Sequence, residues 1–316
     1  MEWAEGYRRQ VTLLVRTLPY VAREECFALK GGTAINLFVR DMPRLSVDID
    51  LAYLPVAPRE ESLRAIDAAM KRIGQGIRKA MRGARIEASK IQPENVVTRL
   101  VVREASAQVK MEVTPVLRGC VYEPELRTVS AGVEDAFGFA EMRVVSFADL
   151  YAGKMVAALD RQHPRDLFGV GELLANEGVT ENLRRAFAVY LISHNRPMAE
   201  ILAPKRKSIE LEFRRGFEGM TRSRVRIEEL EAAREELIEV AVKQMPAEHR
   251  RFLVSFERGE PEWELLGVGA APKLPAVEWR RRNLDQLSAE SRAKLVAGLE
   301  AVFGRRRASG RGSGEV

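Results

Sequence analysis

Asp48 and Asp50 lie two residues apart in SVDIDL, and the turn Gly31-Gly32-Thr33 ends fifteen residues before them. An extended strand sends alternate side chains to opposite faces, so acids at this spacing share one face. Val47, Ile49 and Leu51 take the other, apolar face. The same alternation recurs in Gln108–Thr114, where Lys110 and Glu112 share a face and Val109, Met111 and Val113 oppose them. If the two strands are neighbours, Asp48, Asp50 and Glu112 converge. Three carboxylates in one patch repel each other unless a cation neutralises them. Oxygen-only ligation selects a hard ion, most simply Mg²⁺, with Mn²⁺ as the alternative. Two such ions about 4 Å apart hold the attacking and leaving oxygens of an in-line phosphoryl displacement. The plainer alternative is a strand whose acids pair with surface Lys or Arg.

Gly31, Gly32 and Thr33 shift that balance. Glycine lets backbone amides approach a phosphate closely, and a helix beginning there favours negative charge at its N-terminus. The Thr33 hydroxyl adds a donor. A lone Gly-Gly is also what an ordinary strand-to-helix turn contains. Neither GxxxxGK[ST] nor a GxGxxG after a strand is present, so this is neither a Walker A loop nor a Rossmann fingerprint. The weight lies in the ordered set: Gly-Gly-Thr, a helix, Asp-x-Asp on a half-buried strand, and a third acid on a later strand.

The elements that must position these residues change character near residue 145. Before it, strand patterns (CFALK, SVDIDLAYL, ARIEASKI, VVTRLVVRE, QVKMEVTPV) surround a helical one. Leu63, Ile66, Met70, Ile73, Ile77 and Met81 recur every three or four residues, which predicts an amphipathic helix over 59–82 packed on a sheet. After Val145 the pattern is almost wholly helical, through SFADLYAGKMVAALDR, PRDLFGVGELLANEG, ENLRRAFAVYLISHN and RVRIEELEAAREELIEVAVKQM. Residues 267–276 read as a loop, with a last helical segment ending near Phe303.

A chain of 316 residues, 46% hydrophobic and 30% charged, has the composition of an ordinary globular protein large enough for two domains. No apolar run approaches the ~20 residues of a membrane span. The N-terminus lacks a secretory pattern, and Cys26 and Cys120 show no sign of pairing, so a reducing cytoplasm is the expected location. Two Cys and three His also exclude a zinc site of the usual spacing. Of the net charge of +6, half comes from the tail GRRRASGRGSGEV, whose composition predicts disorder. A second excess lies between Arg196 and Arg226, where nine Lys/Arg face four Glu. It reads as a footprint for a polyanion or as a solvated helical face.

GGTAINLF…RLSVDIDL resembles the first motif of the polymerase-β-type nucleotidyltransferases, and more narrowly that of the AbiEii/AbiGii toxins of abortive-infection and toxin–antitoxin systems. VKMEV is similar to the second motif of that family, and DLYAGKMVAALDRQHPRDLFGV to its third. The resemblance implies an α+β fold: a nucleotidyltransferase domain with a mixed sheet flanked by helices over 1–145, and a helical domain over 146–303 that completes the nucleotide site and offers a surface to the acceptor; composition adds the disordered basic tail over 304–316. It implies that Gly31, Gly32 and Thr33 contact a nucleotide triphosphate and that Asp48 and Asp50 bind metal. Glu112 would be a third ligand or the base for the attacking hydroxyl, with Lys110 beside it. Lys154 would reach nucleotide phosphate, and Asp166 would orient Lys154 or the nucleotide. Where family members often carry an acid after Arg-Asp-Leu-Phe, this chain has Gly169.

The expectation is therefore a Mg²⁺-dependent toxin that moves an NMP from an NTP (GTP or a pyrimidine NTP) to an acceptor hydroxyl and releases pyrophosphate. The resemblance implies a tRNA 3′ end as acceptor and a cognate antitoxin, often a winged-helix DNA-binding repressor. Three alternatives stay open at this level: a metal-dependent nuclease, a transferase that modifies protein, and a non-catalytic RNA-binding module.

Overall fold

The computed structural model describes residues 5–304; all but the first residue of the basic tail lies outside them. The first elements are helix α1 (Glu5–Ala22), strand β1 (Phe27–Lys30) and helix α2 (Gly31–Ala34), which runs on as a π-helical turn over Ile35–Val39. Then come β2 (Asp48–Tyr53), α3 (Arg59–Ala80), β3 (Arg85–Ile91), β4 (Val96–Glu104), β5 (Ala107–Arg118), β6 (Glu125–Thr128), α4 (Ala131–Phe137) and β7 (Glu141–Val144). The rest is helical: α5 (Phe147–Arg161), α6 (Pro164–Asn176), α7 (Glu181–Ile192), α8 (Met198–Leu202), α9 (Glu210–Gly216), α10 (Ile227–Ile238), α11 (Ala247–Arg258), α12 (Pro275–Asp285) and α13 (Ala289–Gly304). The class is α+β, as the sequence implies.

The described residues fall into two compact units. The first runs to Leu150 and includes Gly216–Val225; the second comprises Tyr151–Arg215 and the chain from Arg226 onward. Gly216–Val225 joins the first unit by backbone pairing, with Leu45 N–H donating to Met220, Arg222 N–H to Pro43, and a bridge between Arg44 and Thr221.

The first unit is built on one mixed seven-stranded sheet, in the order β3-β4-β5-β2-β1-β7-β6. β2 lies parallel to β5 and antiparallel to β1, and β4 is antiparallel to β5. Ile49, Leu51, Leu100, Val102, Val109, Met111 and Val113 are all at most 2% exposed. Against this apolar side pack α1 and α3, the latter through buried Ile66, Met70, Ile73 and Ile77. Gly74 of α3 leaves room for Leu100, whose Cδ1 lies 3.7 Å from where a Cβ would stand. Apolar alternation along the strands and the 3–4 spacing along α3 thus meet in one core, which leaves the acid-bearing alternate positions on the other side of the sheet.

All five strand patterns read from the sequence form strands. The structure adds β6 and β7, four residues each, and the helices α1 and α4. β7 pairs with β1 through Leu29 and Val144, and its apolar signal is too short to stand out. The last helical segment is two helices, α12 and α13, separated after Asp285.

In the second unit α6 packs on α10, α7 on α11 and α12, and α13 on α8 and α11. Pro164 opens α6 behind an N-cap His163, whose ring nitrogen accepts the Arg165 N–H at 3.1 Å.

Candidate active site

Register places the acids. In the β2–β5 pairing Asp48 lies opposite Lys110 and Asp50 opposite Glu112. On the far side of β5, Arg99 of β4 lies opposite Glu112, and on the far side of β2, Lys30 of β1 lies opposite Asp50. Residues in register across a sheet share a face. The result is a row across four strands, Arg99–Glu112–Asp50–Lys30, with Lys110 and Asp48 in the row beside it. The apolar residues between them hold the strands, so the carboxylates come together because the alternation in β2 and in β5 is in phase.

The electrostatics of this row are uneven. Burial lifts the Asp50 carboxyl above the ordinary range; Asp48 and Glu112 add to the lift, and Lys30 and Lys110 oppose it. Burial also acts on Glu112, but there a hydrogen bond from Arg99 and the charges of Arg99 and Lys110 outweigh it and hold the carboxyl low. The contacts are Arg99 Nη2 to Glu112 Oε1 at 2.9 Å and Lys110 Nζ to Glu112 Oε2 at 3.3 Å. Burial holds the Lys30 amine below its usual value, against the pull of Asp50, Cys120 and Glu112. Its Nζ reaches the Thr114 hydroxyl at 3.5 Å.

The glycine turn lies directly against the acids. Gly31 has φ +75°, and a Cβ there would stand 2.6 Å from Asp50 Oδ2. Both the backbone conformation and the close approach require glycine. A Cβ on Gly32 would meet Arg44 Nη2 at 2.8 Å and Ser46 Oγ at 2.9 Å. Thr33 is fully buried, and its hydroxyl donates to the Asp48 carbonyl and neighbours Ser46 Oγ at 3.0 Å. Its one hydroxyl proton is therefore engaged in tying the turn to β2. What the turn leaves for an anion is backbone N–H, since the first amides of a helix have no partner within it.

A metal fits part of this donor set. Asp48 and Asp50 offer oxygen ligands on one face of β2. Among the described residues, no three His, Cys, Asp or Glu side chains are gathered tightly enough to hold a metal ion. Glu112 is drawn instead to Arg99 and Lys110.

Lys154 and Asp166 belong to the second unit, on α5 and α6. Lys154 Nζ lies 2.8 Å from Asp166 Oδ1, and Arg161 Nε 2.5 Å from Asp166 Oδ2. Lys154 is 9% exposed and Asp166 1%. Burial would raise the Asp166 carboxyl, but Lys154 and Arg161 outweigh it and bring it down to about 2. Gly169 stands one turn further along α6, where a Cβ would lie 3.5 Å from Lys154 Cδ, in ordinary contact. The position of the family acid is thus one that touches the Lys154 stem.

Lys30, Arg44, Ser46 and Arg99 were not singled out from the sequence. Lys30 and Arg99 carried a signal in the alternation of FALK and VVTRLVVRE, but their place in the row depends on strand order. The basic stretch Arg196–Arg226 is more neutral than its sequence. Arg196 pairs with Asp160 and Glu200, Arg206 with Glu235, Arg214 with Glu210, Arg222 with Asp41 and Arg226 with Glu229. Most of those acids lie outside the stretch, which is why a local charge count overstates it. Cys26 and Cys120 are free thiols, and among the described residues no helix is long and apolar enough to cross a membrane.

A family model described as nucleotidyl transferase AbiEii toxin of type IV toxin–antitoxin systems matches residues 12–283. The nucleotidyltransferase toxin MenT4 of Mycobacterium tuberculosis H37Rv is similar in structure, with a TM-score of 0.50 at 15% identity over 96% of this chain and 95% of that one. At that identity the likeness shows the fold alone. No curated protein matches the sequence.

Proposed function

Because the chain belongs to the AbiEii nucleotidyltransferase toxins of type IV toxin–antitoxin systems, we propose that it moves an NMP from an NTP to an acceptor hydroxyl in a Mg²⁺-dependent reaction, with the tRNA 3′ end as acceptor. The observation that carries this reading is the in-register row of Glu112 and Asp50, with Asp48 beside it and Gly31 pressed against Asp50. Surface acids of no function would not require a glycine at φ +75° on top of them.

Asp48 and Asp50 are the residues to hold the metal, with Glu112 joining them when it leaves Arg99 and Lys110. When bound, the metal supplies charge neutralisation and polarisation at the transferred phosphoryl group. The chain's own work is positioning: the amides of Gly31, Gly32 and Thr33 receive phosphate oxygens, and Lys30 and Lys110 offset the carboxylates from either side. In the alternative role, Glu112 does not join the metal but, freed from Arg99, accepts the proton of an attacking hydroxyl placed over β5. Lys154, fixed by its contact with Asp166, is a cation for nucleotide phosphate, a role its motif supports. GTP or a pyrimidine NTP is the nucleotide, and the cognate antitoxin, a winged-helix repressor by family habit, restrains the activity in the cell.

Incubating the protein with Mg²⁺, total tRNA and each labelled NTP in turn tests this reading. Label joined to tRNA, absent with chelator and with Asp48→Asn, is the expected result. RNA shortened without NTP makes the protein a nuclease, and label on protein alone makes it a protein-modifying transferase. If neither RNA nor protein changes, and Asp48→Asn is as toxic to cells as the parent, the enzymatic reading is wrong.

A further inference from the structure

Arg118 ends β5 six residues beyond Glu112, roughly 20 Å further along the strand at ordinary strand rise. It pairs in register with Tyr53 of β2, just past an irregularity between Leu51 and Tyr53, and the following Gly119 N–H donates to the Tyr53 carbonyl. The side chain is only 7% exposed. Its Nε and Nη1 are sealed from solvent, and neither meets an acceptor among the described residues. Burial is the main influence that holds its pKa below the ordinary arginine value; a second cation, Arg59, acts the same way, and Tyr53, whose neutral phenol gives little at physiological pH, opposes them weakly.

A buried guanidinium that feels another guanidinium and no carboxylate is an arrangement folded proteins otherwise avoid. The local backbone leans the same way. Arg59 is the first residue of α3, and the N-cap there is Pro58, which provides no side-chain acceptor for the helix's opening amides. The nearby anions are otherwise engaged or turned outward: Arg59 pairs with Glu94 at 2.7 Å, and of the two acids in the first turn of α3, Glu60 pairs with Arg64 and Glu61 is exposed. Arg118 therefore has two guanidinium donors, Nε and Nη1, suited to a tetrahedral or planar oxyanion and met by no acceptor among the described residues.

We propose that Arg118 forms the base of a second anion site, separate from the acid row, which takes a phosphate group between Arg118 and the N-terminal turn of α3. The site is independent of the transferase reading: it would exist whether or not nucleotide binds at Asp48 and Asp50. Phosphate could reach it as a free ion or as part of a nucleic-acid backbone, and the chemistry recognised is the same.

The test is thermal unfolding of the full chain in phosphate-free buffer, titrated with inorganic phosphate and in a parallel arm with a dinucleoside monophosphate, for the parent and for Arg118→Met. A melting temperature that rises with ligand concentration in the parent, with at least about tenfold weaker phosphate affinity in Arg118→Met, supports the site. A rise with phosphate alone identifies a free-ion site, and a rise in both arms a site that accepts a backbone phosphodiester. In the absence of ligand, Arg118→Met is expected to melt no lower than the parent, because the charge it removes has no internal partner. A parent insensitive to both ligands, or an equal response in the variant, overturns the proposal. So does an Arg118→Met protein that melts far lower or fails to fold, since that outcome means the guanidinium has a partner within the chain. Arg118→Lys, which keeps the charge without the fork, should show an intermediate phosphate response.

Discussion

Asp50 and Asp166 are buried carboxylates with opposite consequences for the fold. The Asp50 pKa is raised by burial first and by Asp48 and Glu112 after it. A carboxyl whose pKa rises on folding opposes folding at neutral pH. Asp50→Asn is expected to leave the melting temperature equal or higher while nucleotidyl transfer falls by roughly two to three orders of magnitude or more, as for loss of a preorganised charge-stabilising group. Parallel melting curves and label-transfer rates check both halves. Asp166 behaves in the reverse sense, because its folded pKa of about 2 lies below the ordinary 3.8. Its stabilisation is present in full above the unfolded value and is lost as pH falls from near 3.8 toward 2, on the order of 2 kcal/mol in all. Urea unfolding between pH 5 and pH 2 should show that slope in the parent and its absence in Asp166→Asn. At neutral pH the variant should be less stable by about 3–5 kcal/mol, because it strands the buried Lys154 ammonium.

The turn from β1 into α2 is the element that ties backbone to chemistry. Gly31 and Gly32 differ in what a side chain would strike. At Gly31 a Cβ meets Asp50 Oδ2 at 2.6 Å in a left-handed backbone, so Gly31→Ala strains the turn and pushes the acid at once. A loss of about 1–3 kcal/mol in stability and a larger loss of activity than stability alone explains are expected. At Gly32 the obstacles are the Arg44 guanidinium and the Ser46 hydroxyl, side-chain ends that can move, so Gly32→Ala should cost less stability. Chemical denaturation of the two variants ranks them. Across the sheet, β4 sets the state of Glu112 through Arg99. Arg99→Ala is expected to lower the Mg²⁺ concentration needed for half-maximal transfer, because it frees a third oxygen donor. An unchanged or higher Mg²⁺ requirement would mean that Glu112 serves another purpose.

At the scale of the whole molecule, the charge of +6 acts on a polyanionic acceptor only to the extent that it is not already paired. The pairs of Arg196, Arg206, Arg214, Arg222 and Arg226 are largely exposed, and such pairs contribute little and exchange readily for phosphate. If tRNA is the acceptor, as proposed, its binding should therefore weaken with salt, with log K falling linearly in log salt by about 0.7–0.9 per phosphate contact. Each of Arg215→Ala and Arg224→Ala, which touch no acid among the ion pairs of the described residues, should reduce that slope by about one if the stretch carries the contact. Filter binding from low to moderate salt measures it.

The sequence by itself determined the periodicities: which residues of β2 and β5 face the core, the buried stripe of α3, the glycine turn, and the shift to helices after Val145. These are local facts, because strand pleat and helix pitch act over two to four residues. Read with the motifs, they also identified the family. Strand order and ionic partnership were decided only by the tertiary structure. That β1 and β4 flank β2 and β5 brings Lys30 and Arg99 to the acids, and no local rule ranks one antiparallel neighbour above another. Partnership depends on distant residues in the same way: Glu112 is held by a cation from another strand, Thr33 gives its hydroxyl to Asp48, and Arg222 meets Asp41. Arg118 makes the same point from the other side, since a lone arginine in LRGC announces nothing until burial without a partner is seen.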